Sequence, residues 1–205
     1  MSIYRQARFA LSCAALHQAP EACAEIAFAG RSNAGKSSAL NTVTDQKSLA
    51  RTSGSPGRTQ LLNYFSLPDS RYLVDLPGYG YAKVPKKTRR QWHQLLEDYF
   101  TERQTLAGLI LIMDCRHPLT ELDWQMVNWA QQRQCPLHAV LTKADKLSRN
   151  QANQQLFAAQ KALEQAGIEA SLQLFSSLKK TGVDDLRSIL DEWFLAEQSA
   201  QALSE

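Results

Sequence analysis

The sequence predicts an α/β fold, a mostly parallel sheet of six strands, one of them antiparallel, with helices on both faces. Three observations indicate this class. Apolar runs of strand length alternate with helical patterns, the run at 107–113 is apolar throughout, and only one pair of extended segments is close enough in sequence to form a hairpin. The chain has 205 residues, 44% of them hydrophobic, which is enough for one domain with a full core.

The elements follow in order along a main domain expected at 24–196. Strands are expected at 24–29, 61–67, 71–76, 107–114, 136–142 and 169–175. Helices are expected at 35–43, 88–103, 121–133, 150–166 and 183–195. The residues between the second and third strands, 68–70, have the sequence PDS, which suits a hairpin turn. The polar end of the chain, 197–205, is expected to be a frayed tail.

Residues 1–23 are expected to be an extension that packs on the edge of the domain as a short helix or strand. Arg5 and Arg8 precede an apolar stretch at 9–16, which loosely resembles a secretory signal. Ser12 interrupts that stretch and His17 follows it, which favours the packed extension. The run at 107–113 is far shorter than the roughly 20 residues that cross a bilayer.

Cysteine spacing and net charge say little about partners. The four cysteines form no Cys-x-x-Cys pair and have no histidine at zinc spacing, so reduced thiols in a cytosolic protein are expected. A net charge of +3 is too small to indicate a nucleic-acid partner by itself.

Residues 30–37 have the sequence GRSNAGKS, which matches the phosphate-loop pattern G-x-x-x-x-G-K-[ST]. Gly30 and Gly35 allow a tight turn whose N–H groups point at phosphate oxygens, Lys36 brings a positive charge to them, and the Ser37 hydroxyl can bind Mg²⁺. A strand before the motif and a helix after it argue against a chance glycine-rich turn. The residues expected at the phosphates here are Gly30, Arg31, Ser32, Asn33, Ala34, Gly35, Lys36, Ser37 and Ser38.

A second phosphate-side motif ends the third strand, where residues 75–78 have the sequence DLPG. The Asp75 carboxylate can hold Mg²⁺ through water, and the Gly78 N–H can reach a γ-phosphate. Leu76 and Pro77 join the expected phosphate site. Asp-x-x-Gly alone is common and is also compatible with a plain turn.

Two segments near the end of the chain predict recognition of guanine. The sequence TKAD at 142–145 resembles the GTPase motif Asn-Lys-x-Asp, in which a carboxylate, here Asp145, accepts two hydrogen bonds from guanine that adenine cannot donate. The Lys143 stem can lie over the base, and Thr142 weakens or replaces one polar tie to the phosphate loop. The second segment, SSLK at 176–179, resembles the closing Ser-Ala-x-Lys element, whose backbone N–H groups meet the guanine carbonyl. A solvated loop explains either segment alone, but both follow strands in order. The residues expected at the base are Thr142, Lys143, Asp145, Phe175, Ser176, Ser177 and Leu178.

Three segments together resemble the EngB-type (YihA/YsxC) family of bacterial ribosome-biogenesis GTPases, over about residues 24–194. They are RTSGSPGRTQ at 51–60, DLPGYGYA at 75–82 and TKADKL at 142–147. The resemblance implies a Ras-like fold, GTP and GDP as ligands, and a role in assembling the large ribosomal subunit in the cytoplasm, needed for normal growth and division. It implies that Thr59 completes the Mg²⁺ shell beside Ser37, and adds Gly57 and Arg58 to the phosphate site. A monomer is expected.

Slow hydrolysis is expected because Tyr79 occupies the position where Ras-like enzymes usually place a glutamine that orients the attacking water. The alternative interpretation is that Tyr79 is simply an exposed aromatic side chain of a loop, and the glutamine is missing in either case. The groups expected to act on the γ-phosphate are Lys36, Thr59 and Gly78. Asn33 resembles the phosphate-loop asparagine of potassium-activated GTPases, so it either helps to hold K⁺ or bonds to its own loop.

A basic cluster after the DLPG motif is the expected contact with ribosomal RNA, because Tyr79 and Tyr81 accompany it. A solvated helix face is the alternative. The cluster comprises Lys83, Lys86, Lys87, Arg89 and Arg90.

Two other functions remain open from the sequence. A phosphate-loop phosphotransferase needs an acceptor pocket and an arginine-rich lid, and the Asp145 motif argues against it. A nucleotide-gated RNA- or ribosome-binding scaffold with negligible turnover fits the missing glutamine.

Overall fold

The computed structural model describes residues 2–50, 61–80 and 86–202, with side chains described except at 86–89 and 200–202. Within these residues the strands are β1 (Arg8–Cys13), β2 (Ala24–Gly30), β3 (Leu62–Ser66), β4 (Arg71–Asp75), β5 (Leu106–Asp114), β6 (Leu137–Thr142) and β7 (Ser171–Leu174). The α-helices are α1 (Lys36–Val43), α2 (Lys86–Glu102), α3 (Glu121–Gln132), α4 (Arg149–Gln165) and α5 (Val183–Ala202).

All seven strands belong to one sheet, in the order β1-β3-β4-β2-β5-β6-β7. β2 pairs in parallel with β4 and β5, and the parallel pairing continues through β6 to β7. β3 is antiparallel to both of its neighbours, β1 and β4. The predicted α/β class with one antiparallel strand is therefore confirmed, but the sheet has seven strands rather than the six expected.

The additional strand is β1, from the N-terminal extension. It pairs antiparallel with β3 from Arg8 opposite Ser66 to Cys13 opposite Leu62, with a bulge after Phe9. The sequence leaves a short helix and a strand both open for this extension, because β1 is an edge strand exposed along most of its length and its polar and apolar residues do not alternate.

The core lies in two layers on either side of the sheet. Along β5, Leu109 and Leu111 pack in the layer formed with α2, α3 and α4, whereas Ile110 and Ile112 pack in the layer formed with α1 and α5. Successive side chains of a strand point to opposite faces, so an all-apolar strand is the consequence of helices on both faces.

The last helix is longer than expected. α5 continues to Ala202, so the frayed tail predicted at 197–205 is wrong for the described residues 197–202. Alanine, glutamate and glutamine dominate 196–201, and these residues extend a helix readily even where they bury no apolar face. Among the described residues, no helix is both long enough and apolar enough to span a lipid bilayer.

Candidate functional site

The phosphate loop lies between the end of β2 and the start of α1, and packing requires both of its glycines. A Cβ atom on Gly30 would lie 2.7 Å from the carbonyl oxygen of Ile112 on β5. Gly35 has a φ of +100°, and a Cβ atom there would lie 3.3 Å from Thr142 Oγ1. The loop is thus fitted closely between two neighbouring strands, with its backbone turned to open onto a cleft.

The cleft has a volume of about 830 Å³, within the range of nucleotide-sized sites. The phosphate loop, the residues after β4 and Lys143 line it, as expected from their positions at the carboxyl ends of parallel strands. Lys143 belongs to the base-side loop, residues 143–147 after β6, and the other residues predicted at the base, Thr142, Asp145, Phe175, Ser176, Ser177 and Leu178, are not part of this lining. Its lining also includes residues that the sequence analysis did not predict, namely Phe9, Ser12, Ser48, Leu49, Asn63 and Phe65. The expected residues Gly57, Arg58 and Thr59 lie outside the described residues.

Lys36 and Asp75 form an ion pair on the phosphate side of the cleft. The Lys36 ammonium donates to Asp75 Oδ1, and the two side chains are only 10% and 11% exposed. Ser37 lines the same cleft. A hydroxyl and a carboxylate beside incoming phosphates are the oxygen donors that Mg²⁺ prefers. The described residues contain no group of three or more histidine, cysteine and acidic side chains that could hold a metal by themselves.

The DLPG segment runs alongside the phosphate loop. Leu76 N–H donates to the carbonyl of Phe28 at 3.0 Å, and Ser32 N–H donates to the carbonyl of Tyr79 at 2.7 Å. Gly78 lies between these two bonds and lines the cleft. Backbone bonds therefore hold the expected γ-phosphate segment against the phosphate loop.

Tyr79 is a buried residue, 3% exposed, so the alternative of an exposed loop aromatic is wrong. Its hydroxyl donates to Asp123 Oδ1 on α3 at 2.8 Å. Burial, and after it the Asp123 carboxylate, raises the pKa of Tyr79 well above its ordinary value. The same burial removes Tyr79 from the aromatic side chains available to stack on RNA bases.

Thr142 maintains the tie between the base-side loop and the phosphate loop. Its buried hydroxyl lies within donating reach of the carbonyl of Ala34, in the phosphate loop, and of Met113, 3.0 Å away on β5. The hydroxyl thus replaces the tie that an asparagine amide makes in other GTPases.

The Asp145 side chain is held in its ionised form, which can only accept hydrogen bonds. Its Oδ1 accepts a hydrogen bond from Ser176 Oγ at 2.6 Å, and this bond lowers the pKa of Asp145. Ala144 N–H donates to the carbonyl of Phe175 at 3.1 Å, which joins the two base-side segments. The Phe175 side chain is buried in the core, so only its backbone belongs to the site, whereas Leu178 is 76% exposed. Ser177 is half-buried.

Asp114 is a site residue that the sequence analysis missed. It ends β5 and lies opposite Thr142 in the parallel pairing of β5 with β6. Its Oδ2 accepts from Lys143 Nζ at 3.0 Å and from Arg116 Nη2 at 2.7 Å. These hydrogen bonds, the one from Arg116 above all, hold the pKa of Asp114 well below its usual range. The only sequence signal is an acidic residue at the end of an apolar strand.

The basic cluster is only partly described. Lys83 lies outside the described residues, and Lys86, Lys87 and Arg89 belong to α2 without described side chains. Arg90 is exposed. Further along α2, Trp92 Nε1 donates to the carbonyl of Pro77 at 3.4 Å, so the helix that carries the cluster contacts the DLPG segment.

Asn33 is exposed, with a φ of +63°, in the left-handed region that asparagine tolerates best after glycine. Within the described part of the chain, its side chain makes no hydrogen bond to the phosphate loop, whereas its carbonyl accepts from Lys143 Nζ at 2.6 Å. The alternative in which the Asn33 side chain hydrogen-bonds to its own loop therefore has no support among the described residues.

Comparison with known proteins gives one consistent family. Residues 25–143 match the sequence profile of the family described as 50S ribosome-binding GTPase. A probable GTP-binding protein EngB of Methylobacillus flagellatus is 52% identical over 199 residues, 97% of this chain and 96% of that protein. The protein of the same name from Coxiella burnetii (strain CbuG_Q212) is 49% identical over 195 residues, 95% of each chain.

Solved structures show the same fold. The crystal structure of a probable GTP-binding protein engB superposes with a TM-score of 0.67 at 18% identity, covering 83% of this chain and 98% of that chain. Era, in complex with MgGDPNP and nucleotides 1506–1542 of 16S ribosomal RNA, superposes with a TM-score of 0.61 at 21% identity, covering 83% of this chain and 56% of that chain.

Proposed function

The chain belongs to the EngB family of GTP-binding proteins and is a P-loop GTPase, and from this premise we propose that it is a slow, nucleotide-dependent switch in the assembly of the large ribosomal subunit. The observation that supports guanine specificity is the Asp145 carboxylate, which accepts a hydrogen bond from Ser176 and lies two residues after Lys143, a residue that lines the cleft. The printed description of the matched family, a 50S ribosome-binding GTPase, supports the large subunit as the partner. Such a switch acts in the cytoplasm and supports growth and division.

Nucleotide titration tests the base assignment. The unaltered chain is expected to bind fluorescent GDP and GTP tightly and ATP negligibly, and Asp145→Asn is expected to transfer preference to xanthine nucleotides. The amide presents a donor where the carboxylate presents an acceptor, which is why xanthine, with its additional carbonyl, then fits. Adenine binding, or indifference to the change at Asp145, would contradict the proposal and return attention to the phosphotransferase alternative.

Mg²⁺ is the proposed cofactor, held by Ser37, Asp75 through water, and Thr59. When bound, the ion neutralises charge on the phosphate oxygens. Lys36 contributes a second positive charge from the same side, and the N–H groups of the phosphate loop and Gly78 orient the γ-phosphate. The buried Lys36–Asp75 ion pair supports this arrangement, because it keeps the ammonium and the carboxylate together beside the phosphate loop, where the phosphates and Mg²⁺ are proposed to bind.

Slow turnover is proposed because position 79 offers no group that can orient water. The Tyr79 hydroxyl is committed to Asp123. The second candidate function, a nucleotide-gated ribosome-binding scaffold, rests on this same observation. Multiple-turnover phosphate release distinguishes the two, since a switch accelerates when large subunits are added and a scaffold stays near zero with or without them.

K⁺ is proposed to assist hydrolysis from a position beside Asn33. The exposed, left-handed geometry of Asn33 at the cleft supports this role. The rate of phosphate release is expected to be higher in potassium than in sodium buffer of equal ionic strength. Equal rates, with and without large subunits, would contradict it.

Ribosomal RNA is the proposed contact of Lys83, Lys86, Lys87, Arg89 and Arg90. The Trp92 bond to Pro77 supports a link between nucleotide state and this face, since α2 begins in the cluster and touches the DLPG segment. Neutralising Lys87, Arg89 and Arg90 is expected to weaken ribosome binding most at low salt and to leave GDP affinity unchanged. Loss of GDP affinity would instead make the segment structural.

A further inference from the structure

We propose that Asp114 is a positioning residue for nucleobase binding, which acts by holding the Lys143 side chain in place. The inference rests on the placement of Lys143 in the base-binding loop and extends it to a residue outside every motif of the sequence. It does not depend on the ribosomal partner.

The Lys143 ammonium spans two elements. Nζ donates to Asp114 Oδ2, at the end of β5, at 3.0 Å and to the carbonyl of Asn33, in the phosphate loop, at 2.6 Å. The Asp114 side chain is 9% exposed and the Lys143 side chain 31% exposed. The two acceptors fix the ammonium end of the side chain and the Lys143 backbone fixes the other end, so the aliphatic stem follows a defined path along the cleft.

The fixed path matters because a free lysine is a poor stacking surface. Four rotatable bonds give the side chain many rotamers, and ordering them on binding costs conformational entropy. Lys143 also has a φ of +57°, a left-handed conformation that a lysine rarely adopts. Thr142, the residue before Lys143, is held next to Asp114, because its carbonyl accepts a hydrogen bond from Cys115 N–H at 2.9 Å.

Arg116 uses the other side of the same carboxylate. Its backbone N–H and Nε donate to Asp114 Oδ1 at 3.0 and 2.9 Å, and its Nη2 donates to Oδ2. These contacts close the turn after β5, and the Arg116 side chain is 45% exposed. Asp114 therefore has two separable sets of contacts, one with its own turn and one with the base-binding loop.

A double-mutant cycle tests the proposal by fluorescent GDP titration on Asp114→Asn, Lys143→Met and the double variant. Asparagine keeps the size of the side chain but removes the charge and directs an N–H₂ group toward cationic partners. We expect D114N and K143M each to weaken GDP binding about tenfold, and the double variant to bind within twofold of K143M, because Asp114 acts through Lys143. Independent losses that multiply to about a hundredfold would overturn the proposal.

Arg116→Met is the matched control, because it removes the other partner of the same carboxylate. It is expected to lower the melting temperature and to change GDP affinity less than threefold. If R116M and D114N weaken GDP binding equally, Asp114 merely closes the turn and the proposal is wrong.

Inosine diphosphate provides an internal reference, since it lacks the exocyclic amine that Asp145 recognises. The ratio of GDP to inosine diphosphate affinity is expected to stay within twofold in D114N, because only the stacking lysine is displaced. A collapse of that ratio would mean that the whole base-binding loop is disturbed, and would overturn a specific role. Weak GDP binding by the unaltered chain contradicts the proposed function instead, so the two failures are distinguishable.

Chemical labelling tests the pairing without any variant. In the unaltered chain, acylation of the Lys143 amine is expected to be at least tenfold slower than that of Lys146, whose side chain is 59% exposed and whose Nζ lies 3.9 Å from Asp145 Oδ2. Equal rates would contradict the pairing of Lys143 with Asp114.

Discussion

Buried carboxylates lie at both the amino-terminal and the carboxyl-terminal ends of the parallel strands, and they serve different purposes. Glu25, near the start of β2, is fully buried and accepts from Tyr99 at 3.0 Å and from Arg103 Nε at 2.7 Å. Asp75 and Asp114, at the opposite ends of their strands, pair with Lys36 and Lys143. Of the partners of Glu25, Tyr99 lies on α2 and Arg103 directly follows it, whereas both lysines line the cleft.

The comparison teaches that the partner decides what a buried carboxylate does. Burying an ion pair costs desolvation energy that its attraction barely offsets, so the pair is rarely the best source of stability. At the Glu25 end the pair fastens α2 to the sheet. At the cleft end both lysines line the nucleotide-sized cleft. There the same desolvation energy keeps ordered the groups that would bind a polyanionic nucleotide.

Removing Glu25 should produce the largest effect and break the comparison most directly. Glu25→Ala leaves the Arg103 guanidinium and the Tyr99 hydroxyl without their shared acceptor, and we expect a loss of about 3–5 kcal/mol in the free energy of unfolding. Urea denaturation measures the loss. GDP affinity of the folded fraction should stay within twofold, and a large drop in affinity at normal stability would show that the two ends of the sheet are not separate.

A fourth carboxylate sharpens the point, because Asp123 lies at the cleft end but forms no ion pair with a residue in the described part of the chain. It accepts from the Tyr79 hydroxyl and, through Oδ2, from Thr120 N–H and Oγ, both at 2.8 Å. Tyr79→Phe removes one hydrogen bond to a charged group and should cost about 1.5–3 kcal/mol of stability.

The rate of GTP hydrolysis should not change in Tyr79→Phe, because the hydroxyl points to α3 and not to water at the γ-phosphate. Thermal unfolding and phosphate release measured on the same preparation check both parts. A rate change of more than threefold would make Tyr79 a participant in hydrolysis.

The sequence predicts what depends on local pattern and leaves out what depends on distant contacts. The strands β2 to β7 and the five helices follow from apolar periodicity, and the phosphate loop follows from a fixed spacing of glycine, lysine and serine. Asp114 was missed because its contact with Lys143 joins residues 29 apart, which only the pairing of β5 with β6 brings together. Tyr79 was misjudged for the same reason, since Asp123 is 44 residues away.

The smallest expected effect is the acid dependence of Asp114. Its pKa in the folded chain lies below the ordinary value near 3.9, so its ionised form stabilises the fold at all pH values above about 4. That contribution declines as the pH falls below 4 toward the folded-state pKa, because the unfolded chain then takes up the proton first.

The difference in unfolding free energy between the unaltered chain and Asp114→Asn should therefore be constant from pH 7 to 5 and shrink between pH 4 and 3. Urea titrations at these pH values measure it, with Arg116→Met as the control. Because the Arg116 hydrogen bond is the largest cause of the lowered pKa, that control should lose most of the same acid dependence. If it keeps all of it, Lys143 alone holds the carboxylate ionised, and the coupling of Asp114 to the cleft is stronger than its coupling to its own turn.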